Sequence, residues 1–300
     1  MTAVTEQPLR AHNGAVHLAG SIWRPPAEPR GLVMMHPGSG PSDRHNDVLF
    51  PPIRAALLTA GIAVCSFDKR GVGDSTGDWR DADIAMQADD LLAGLGAARR
   101  VVGPLPVGLF GHSQGGWVVL EAAADAHADF VIMNSGPAVS PRVQETYSTV
   151  QTLHRQGWDD VAAQTGLATF SRTMDLLSLT FEEAQPQVRA LPLVEELIAA
   201  GVFIPTDARL WSLAARLMPH GPADALSALD VPLLALLGED DDIVPVGECA
   251  DVFRRRVRPD LLTLCILPRG DHRLQHDDAF VPGYLDAITG FATAHAKRAL

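Results

Sequence analysis

The sequence has 300 residues, a formal net charge of −12 at pH 7, and 47% hydrophobic residues. This length predicts one large domain, or one domain with an insertion, that can bury a sizeable core. The acidic balance, with no basic run longer than Arg254-Arg255-Arg256, argues against binding to nucleic acid or to an anionic membrane.

The first half of the chain alternates between strand-like and helix-like segments. An early antiparallel strand is predicted at residues 15–23, and the segments after it are strand 32–36, helix 48–60, strand 62–67, helix 82–99, strand 106–110, helix 116–128 and strand 130–134. This alternation predicts an α/β fold with a mostly parallel sheet and helices on both faces.

Gly111-His112-Ser113-Gln114-Gly115 lies between one of these strands and the helix after it. The pattern G-x-S-x-G in that context predicts a nucleophile elbow, a sharp turn that exposes a serine hydroxyl at the sheet edge. The turn holds the serine in a strained conformation. The following helix N-terminus directs N–H groups and partial positive charge at the same point. Ser113 is therefore the candidate nucleophile.

The pattern changes over residues 138–221, where helical stretches at 143–156, 159–172, 192–200 and 206–218 occur without a convincing strand. About 80 residues are too many for a crossover, which needs only a dozen or so. We predict a helical cap at 138–221, inserted into a core formed by 1–137 and 222–300. Its large apolar side chains are expected to pack the cap more than to line a pocket: Trp158, Phe170, Phe181, Phe203, Trp211 and Met218.

Two further strand-like runs, 231–237 and 261–267, are each followed by polar residues that can complete the site. A serine nucleophile needs a base and an orienting acid, which in this architecture follow in the order acid, then histidine. The first run leads into an acidic stretch in which Asp240, Asp241 and Asp242 are all candidates. The second leads into Asp271-His272, and one helix fits between the two runs near 246–257.

Two loops carry a family resemblance: Gly38-Ser39-Gly40-Pro41-Ser42-Asp43-Arg44 and Asp68-Lys69-Arg70-Gly71-Val72-Gly73-Asp74-Ser75. Over nearly its full length the chain resembles the α/β-hydrolases, in the serine-esterase-like branch with G-S-G-P-x-D-R and D-K-R-G-x-G-x-S loops. The resemblance implies an α/β-hydrolase fold with a helical cap. Asp68 and Arg70 are expected to hold their loop together by hydrogen bonds and charge pairing.

The resemblance also selects among the candidate site residues. The family's acid loop, G-x-x-D-x-x-V-P, places its aspartate at Asp241 when it is laid on Gly238 and Val244-Pro245. The base loop ends in D-H, which selects His272, whereas the surroundings of His276 match nothing in the family.

An oxyanion hole needs two N–H donors. The residue after the nucleophile supplies one, Gln114, and the loop after strand 32–36 supplies the other. Pro37 has no N–H. Alignment on the G-S-G-P run favours Ser39, with Gly38 and Gly40 as near alternatives.

Other features bound the chemistry. Residues 1–14 lack an apolar signal-peptide core, and no apolar run approaches a membrane span, so we expect a cytoplasmic protein without a membrane anchor. Cys65, Cys249 and Cys265 are expected as buried, reduced thiols. The histidines show no metal-binding spacing and no complete dinucleotide-binding glycine pattern follows a strand, so neither a metal nor a cofactor is expected.

Together these patterns predict a serine hydrolase that cleaves a small-molecule carboxylic ester through an acyl-enzyme on Ser113. The same triad serves thioesterases, amidases or peptidases, lactonases and carbon–carbon bond hydrolases, which the sequence does not separate. A ligand-binding sensor on a hydrolase scaffold is the alternative of another class. The sequence leaves homo-oligomerisation open.

Overall fold

A computed structural model describes residues 4–296. Within this range the main sheet has eight strands: β1 (Thr5–Asn13), β2 (Val16–Arg24), β3 (Gly31–His36), β4 (Ile62–Phe67), β5 (Val107–His112), β6 (Phe130–Asn134), β7 (Leu233–Gly238) and β8 (Leu262–Leu267). Their order across the sheet is β1-β2-β4-β3-β5-β6-β7-β8. A separate two-stranded hairpin joins β9 (Gln275–His276) to β10 (Ala279–Phe280).

The sheet is antiparallel at one edge and parallel elsewhere. Strands β1 and β2 form a hairpin, β2 pairs antiparallel to β4, and strands β3 to β8 all run parallel. The five strands β3 to β7 are buried along their full length. Burial on both faces explains why they are short continuous apolar runs rather than alternating ones.

Eleven helices lie within the described range: α1 (Phe50–Thr59), α2 (Ile84–Val102), α3 (Gln114–Ala122), α4 (Pro141–Arg155), α5 (Asp160–Asp175), α6 (Phe181–Arg189), α7 (Val194–Ala199), α8 (Ala208–Leu217), α9 (Ala223–Ala228), α10 (Val246–Arg256) and α11 (Tyr284–His295). Helices α1 and α11 pack on one face of the sheet, and α2, α3 and α10 pack on the other. The predicted α/β architecture is confirmed.

Helices α4 to α9 follow one another between β6 and β7. Helices α4 to α8 contribute to an apolar cluster separate from the two sheet clusters, with Phe170 and Trp211 among its buried members. Their packing role agrees with the sequence interpretation of those two residues. Helix α6 was not predicted, because Pro186 inside it suggests a break and only Ala184 and Val188 are buried.

Other differences from the sequence-based elements have local causes. Strand β1 was not predicted because, of its nine residues, only Leu9 and Ala11 are buried. Helix α3 begins at Gln114, ahead of the predicted start at Gly116, because the elbow leads directly into its first turn. No helix among residues 4–296 is long and apolar enough to cross a membrane.

Candidate active site

The predicted nucleophile, Ser113, lies between β5 and α3 with φ of 53° and ψ of −124°. Non-glycine residues rarely adopt such a backbone conformation, which costs about 1–3 kcal/mol. The neighbouring glycines make it sterically feasible. A Cβ atom on Gly111 would lie 2.1 Å from the carbonyl oxygen of Gly115, and one on Gly115 would lie 2.6 Å from that of His36. The turn therefore needs glycine at both positions.

Asp241 is the acid of the three candidates that contacts His272. Its Oδ2 atom lies 2.9 Å from His272 Nδ1. Its Oδ1 atom accepts hydrogen bonds of 2.9 Å from the N–H groups of Ile243 and Val244. These bonds fix the buried carboxylate, so that it aims one oxygen at the imidazole.

The neighbouring acids have other environments. Asp240 is exposed, and Asp242 pairs with Arg155 on helix α4. His276, the histidine that lies near His272 in sequence, contacts Arg269 and Asp277 instead of any of the three acids.

The loop that carries His272 is held by the residue before it. Asp271 Oδ1 accepts hydrogen bonds of 2.8 Å from the N–H groups of Arg273 and Gln275. The imidazole of His272 packs beside that of His112, with ring centroids 5.1 Å apart. Burial and the nearby His272 lower the pKa of His112 well below its ordinary value, so His112 is a neutral neighbour at neutral pH.

Ser113 and His272 line the same open cleft. Among the described residues, the hydrogen bonds of His272 reach Asp241, and none reaches the Ser113 hydroxyl. Catalytic hydrogen bonds are often long in ligand-free sites and tighten when substrate binds. The arrangement thus places an oriented imidazole beside the strained serine.

The predicted oxyanion residues flank Ser113. A Cβ atom on Gly38 would lie 3.4 Å from Ser113 Cβ, so this loop packs directly against the elbow. Gln114 is the first residue of α3, where an N–H has no partner within the helix. Within residues 4–296, neither the Ser39 N–H nor the Gln114 N–H has a protein acceptor. Both donors are free to bind a ligand oxygen.

A partly enclosed cavity and a more open cleft meet at Ser113. The cavity has a volume of about 340 Å³ and extends beneath helices α4 and α8, whereas the cleft contains His272 and faces solvent. Apolar side chains dominate the cavity wall: Trp79, Trp117, Phe203, Leu213, Leu217, Met218 and Ile243. Phe203 and Met218 therefore face the cavity, whereas the sequence interpretation favoured packing for them.

Two charged side chains, Lys69 and Glu145, also line this cavity, and the sequence analysis singled out neither. Burial lowers the pKa of Lys69 to about 7 and raises the pKa of Glu145 to about 7. A low-polarity environment disfavours the charged form of both groups, which explains the opposite directions. The fold thus places one weakly basic and one weakly acidic group in the wall of the cavity that reaches Ser113.

The two family-like loops are joined by a buried ion pair. Arg44 donates from Nε to Asp68 Oδ1 at 3.0 Å and from its terminal nitrogen to Oδ2 at 2.6 Å. Burial alone would raise the pKa of Asp68, but the hydrogen bonds from Arg44 outweigh it and lower that pKa. Arg70 pairs in the same way with Asp90. Asp68 and Arg70 therefore have the structural role that the sequence predicted.

The three cysteines are free thiols on β4, α10 and β8, and two of them, Cys65 and Cys249, are buried. Across residues 4–296, no group of three or more His, Cys, Asp or Glu side chains is arranged to hold a metal ion.

Comparison with known proteins places this geometry in a family context. The family model described as serine aminopeptidase, S33, matches residues 27–279. A monoacylglycerol lipase of Mycolicibacterium smegmatis is 27% identical over 237 residues, which cover 78% of each chain.

Solved structures with the same fold include two that align over nearly the whole chain. The proline iminopeptidase of Mycobacterium smegmatis has a TM-score of 0.63 at 18% identity, covering 97% of this chain and 99% of its own. Est1E of Butyrivibrio proteoclasticus also has a TM-score of 0.63, at 17% identity, covering 96% of this chain and 98% of its own. These likenesses confirm the predicted α/β-hydrolase fold.

Proposed function

The chain belongs to the serine aminopeptidase S33 family of hydrolases, and on that premise we propose that it cleaves carboxylic esters with Ser113, His272 and Asp241 as its catalytic triad. One observation carries the proposal: Ser113, with its strained backbone, and His272, which Asp241 orients, line the same cleft. The name of one similar protein, a monoacylglycerol lipase, supports ester cleavage.

In the proposed reaction, the Ser113 hydroxyl attacks the ester carbonyl while His272 Nε2 accepts its proton. Asp241 holds His272 in the tautomer with hydrogen on Nδ1 and stabilises the cation that forms. The N–H groups of Ser39 and Gln114 bind the oxyanion. The alcohol leaves with the proton from His272, and water activated by the same imidazole then releases the acid from Ser113.

The two spaces that meet at Ser113 suggest how a substrate lies. We assign the acyl chain to the mostly apolar cavity and the alcohol to the open cleft, where water also enters for deacylation. Helices α4 to α8, within the predicted cap at 138–221, act as the cap, because α4 and α8 supply walls of the cavity. A volume of about 340 Å³ is near the lower end of small-molecule pockets, which favours short or medium acyl groups.

Aminopeptidase activity is the second candidate. The family model and the proline iminopeptidase carry that activity in their names. The carboxyl group of Glu145 on the cavity wall is the observation that favours it, because a carboxylate can pair with a free α-amino group.

Labelling with a fluorophosphonate, followed by intact-mass measurement, tests the proposed nucleophile. Wild type is expected to gain one adduct, and Ser113→Ala none. Ser227→Ala is the matched control, because its hydroxyl bonds only to Ala223 on helix α9, outside the site, and it is expected to label like wild type. Absence of an adduct on folded wild type would favour the ligand-binding scaffold instead.

The acid is tested by a pair of neighbouring variants. Asp241→Asn should lower kcat by about 10⁴, the effect expected when the imidazole loses its correct tautomer. Asp240→Asn changes an exposed carboxylate that does not touch His272 and should keep near wild-type turnover. Equal activities of the two variants would rule out Asp241 as the triad acid.

A substrate panel then separates the reaction classes. Nitrophenyl esters of increasing acyl length, a thioester, a lactone and aminoacyl anilides are compared by kcat/KM. Preference for esters with an optimum at short or medium acyl length supports the proposal. Preference for anilides with a free amine would move the protein to the aminopeptidase assignment.

A further inference from the structure

Lys69 lies at the junction of the two predicted oxyanion residues. It follows β4 in the D-K-R-G-x-G-x-S loop and is buried, with 7% of its surface exposed. Its ammonium group donates to the carbonyl oxygen of Gly38 and lies 3.4 Å from Oε1 of Gln114. One side chain thereby contacts both segments that flank the Ser113 hydroxyl.

The contact with Gly38 determines the direction of the next N–H. In a trans peptide the carbonyl and the following N–H point to opposite sides of the chain. The Gly38 carbonyl points toward Lys69, so the Ser39 N–H points away from it, and Ser39 lines the cavity and the cleft that meet at Ser113. This orientation supports Ser39 as the donor that the loop supplies to the oxyanion hole.

We propose that Lys69 is a positioning residue that holds the two oxyanion-hole donors of this enzyme in register with Ser113. The inference rests on the proposed function, because it assigns Ser39 and Gln114 to the oxyanion. Lys69 acts through the Gly38–Ser39 peptide and the Gln114 side chain, and it needs no contact with substrate. A charged donor on the carbonyl also polarises the peptide and strengthens the opposite N–H as a hydrogen-bond donor.

A simple ion-pair role does not account for this lysine. None of the ion pairs within residues 4–296 includes Lys69, and burial lowers its pKa to about 7, so the folded chain carries the ammonium group at an electrostatic cost. The nearby charged groups are Glu145 on the same cavity wall and the Arg44–Asp68 and Arg70–Asp90 pairs, whose acids are already satisfied by arginine.

The choice of lysine is also informative because the chain otherwise uses arginine. Lysine occurs in the sequence only at Lys69 and Lys297, and Lys297 lies outside the described residues. A compact ammonium with three rotatable donors can reach a carbonyl and an amide oxygen at once. The planar guanidinium of arginine has a fixed fork geometry and more bulk, which fits this buried position less well.

The experiment compares Lys69→Met with Arg70→Met in the full-length enzyme. Methionine keeps an unbranched, apolar side chain as far as the ε position and removes the ammonium donors. Because small misplacements of a catalytic group cost up to about 100-fold in rate, Lys69→Met is expected to lower kcat by about 10- to 100-fold while KM changes little. Arg70→Met breaks the buried Arg70–Asp90 pair of the same loop but removes no contact to Gly38 or Gln114, so it is expected to lower the melting temperature while the folded enzyme retains near wild-type kcat.

The affinity for a transition-state analogue distinguishes a loss of oxyanion-hole positioning from a general loss of stability. An alkylboronic acid forms a tetrahedral adduct with the active serine, and its oxygen occupies the oxyanion hole. Its affinity for Lys69→Met should fall by the same factor as kcat/KM, while the melting temperature stays at or above that of wild type.

The outcomes distinguish the two proposals. Wild type that neither labels with fluorophosphonate nor binds the boronic acid would overturn the proposed function. Active wild type with an equally active Lys69→Met variant would overturn only the role of Lys69. A variant that loses kcat and melting temperature together, with boronic-acid affinity unchanged in the remaining folded protein, would show a merely structural lysine and also overturn the inference.

Discussion

The hydroxyl of Tyr147 donates a 3.0 Å hydrogen bond to the main-chain carbonyl of Asp241. Tyr147 belongs to helix α4, which makes two further contacts with the same loop. Gln144 Nε2 donates to the carbonyl of Ile243 at 3.0 Å, and Arg155 pairs with Asp242. The position of helix α4 therefore helps to determine the orientation of the Asp241 loop.

Tyr147→Phe should slow the enzyme without unfolding it. Small misplacements of a catalytic group cost up to about 100-fold in rate, and the acid loop loses only one of its contacts with α4, so kcat for an ester is expected to fall about 2- to 10-fold. Tyr147 is only partly buried, and the Asp241 carbonyl can turn to water, so the free energy of unfolding should change little. Steady-state kinetics and urea denaturation of both proteins measure this, and an unchanged kcat would contradict it.

Tyr284 is the only other tyrosine of the sequence. Tyr284→Phe should lower the free energy of unfolding more than Tyr147→Phe does. The buried Tyr284 hydroxyl donates 2.8 Å to Asn134 Oδ1, and Asn134 in turn contacts His112 Nδ1 at 3.0 Å. Removal leaves a buried acceptor unpaired, which costs about 1–3 kcal/mol of unfolding free energy. Urea denaturation should show this loss to exceed that of Tyr147→Phe, and a smaller loss would mean that water replaces the hydroxyl.

Most of the sheet could be predicted from the sequence because β3 to β7 are buried on both faces. Their short apolar runs, such as Ile62–Phe67, end at Gly, Pro or charged residues that mark the strand ends sharply. Edge strand β1 lacks that signal. Its pairing with β2 comes from backbone hydrogen bonds across the hairpin, which composition does not reveal.

The positions of the candidate site residues followed from loops after strands, but their contacts did not. The sequence placed Ser113 and His272 at one edge of the sheet, and the resemblance chose Asp241 from three adjacent acids. Hydrogen bonds from Ile243 and Val244 give the physical reason for that choice.

Lys69 and Glu145 were not predicted because each reaches the cavity only through tertiary packing. The scarcity of lysine in an arginine-rich chain was the one available sign for Lys69.

Arg44→Met should be strongly destabilising. It would leave Asp68, with 3% of its side chain exposed, as an uncompensated buried charge, and the loss of one partner of such a pair costs about 3–5 kcal/mol. Asp68→Asn in the same chain should recover part of the loss, because the remaining group is neutral. A double-mutant cycle by urea denaturation measures the coupling.

The pH dependence gives a second check on the Arg44–Asp68 pair. The folded-state pKa of Asp68 is lowered, so its stabilising effect is present above its unfolded value of 3.8 and is lost as pH falls through the folded value. The difference between wild type and Arg44→Met should therefore narrow under acidic conditions. A constant difference would contradict a charge-based role.

Glu145→Gln should stabilise the protein at neutral and alkaline pH. Burial raises the folded-state pKa of Glu145 from 4.5 to about 7, so between these values the folded chain binds more protons than the unfolded chain. Stability then decreases as pH rises through this window. Glutamine does not titrate, so the gain of the variant over wild type should be small at pH 4 and reach its full size above pH 7.

Glu28→Gln is the matched control for Glu145→Gln, because Glu28 is exposed and outside the cavity. Urea denaturation at several pH values gives the free energy of unfolding as a function of pH. The curves for wild type and Glu28→Gln should run parallel, whereas the curve for Glu145→Gln should rise above that of wild type as pH increases from 4 to 8. Kinetics of the same proteins bear on function. If Glu145 binds a substrate amine, Glu145→Gln loses turnover of aminoacyl anilides selectively, whereas an esterase with an apolar acyl site keeps its ester turnover. A gain in stability that is the same at pH 4 and pH 8 would show that the Glu145 carboxyl does not titrate in this window.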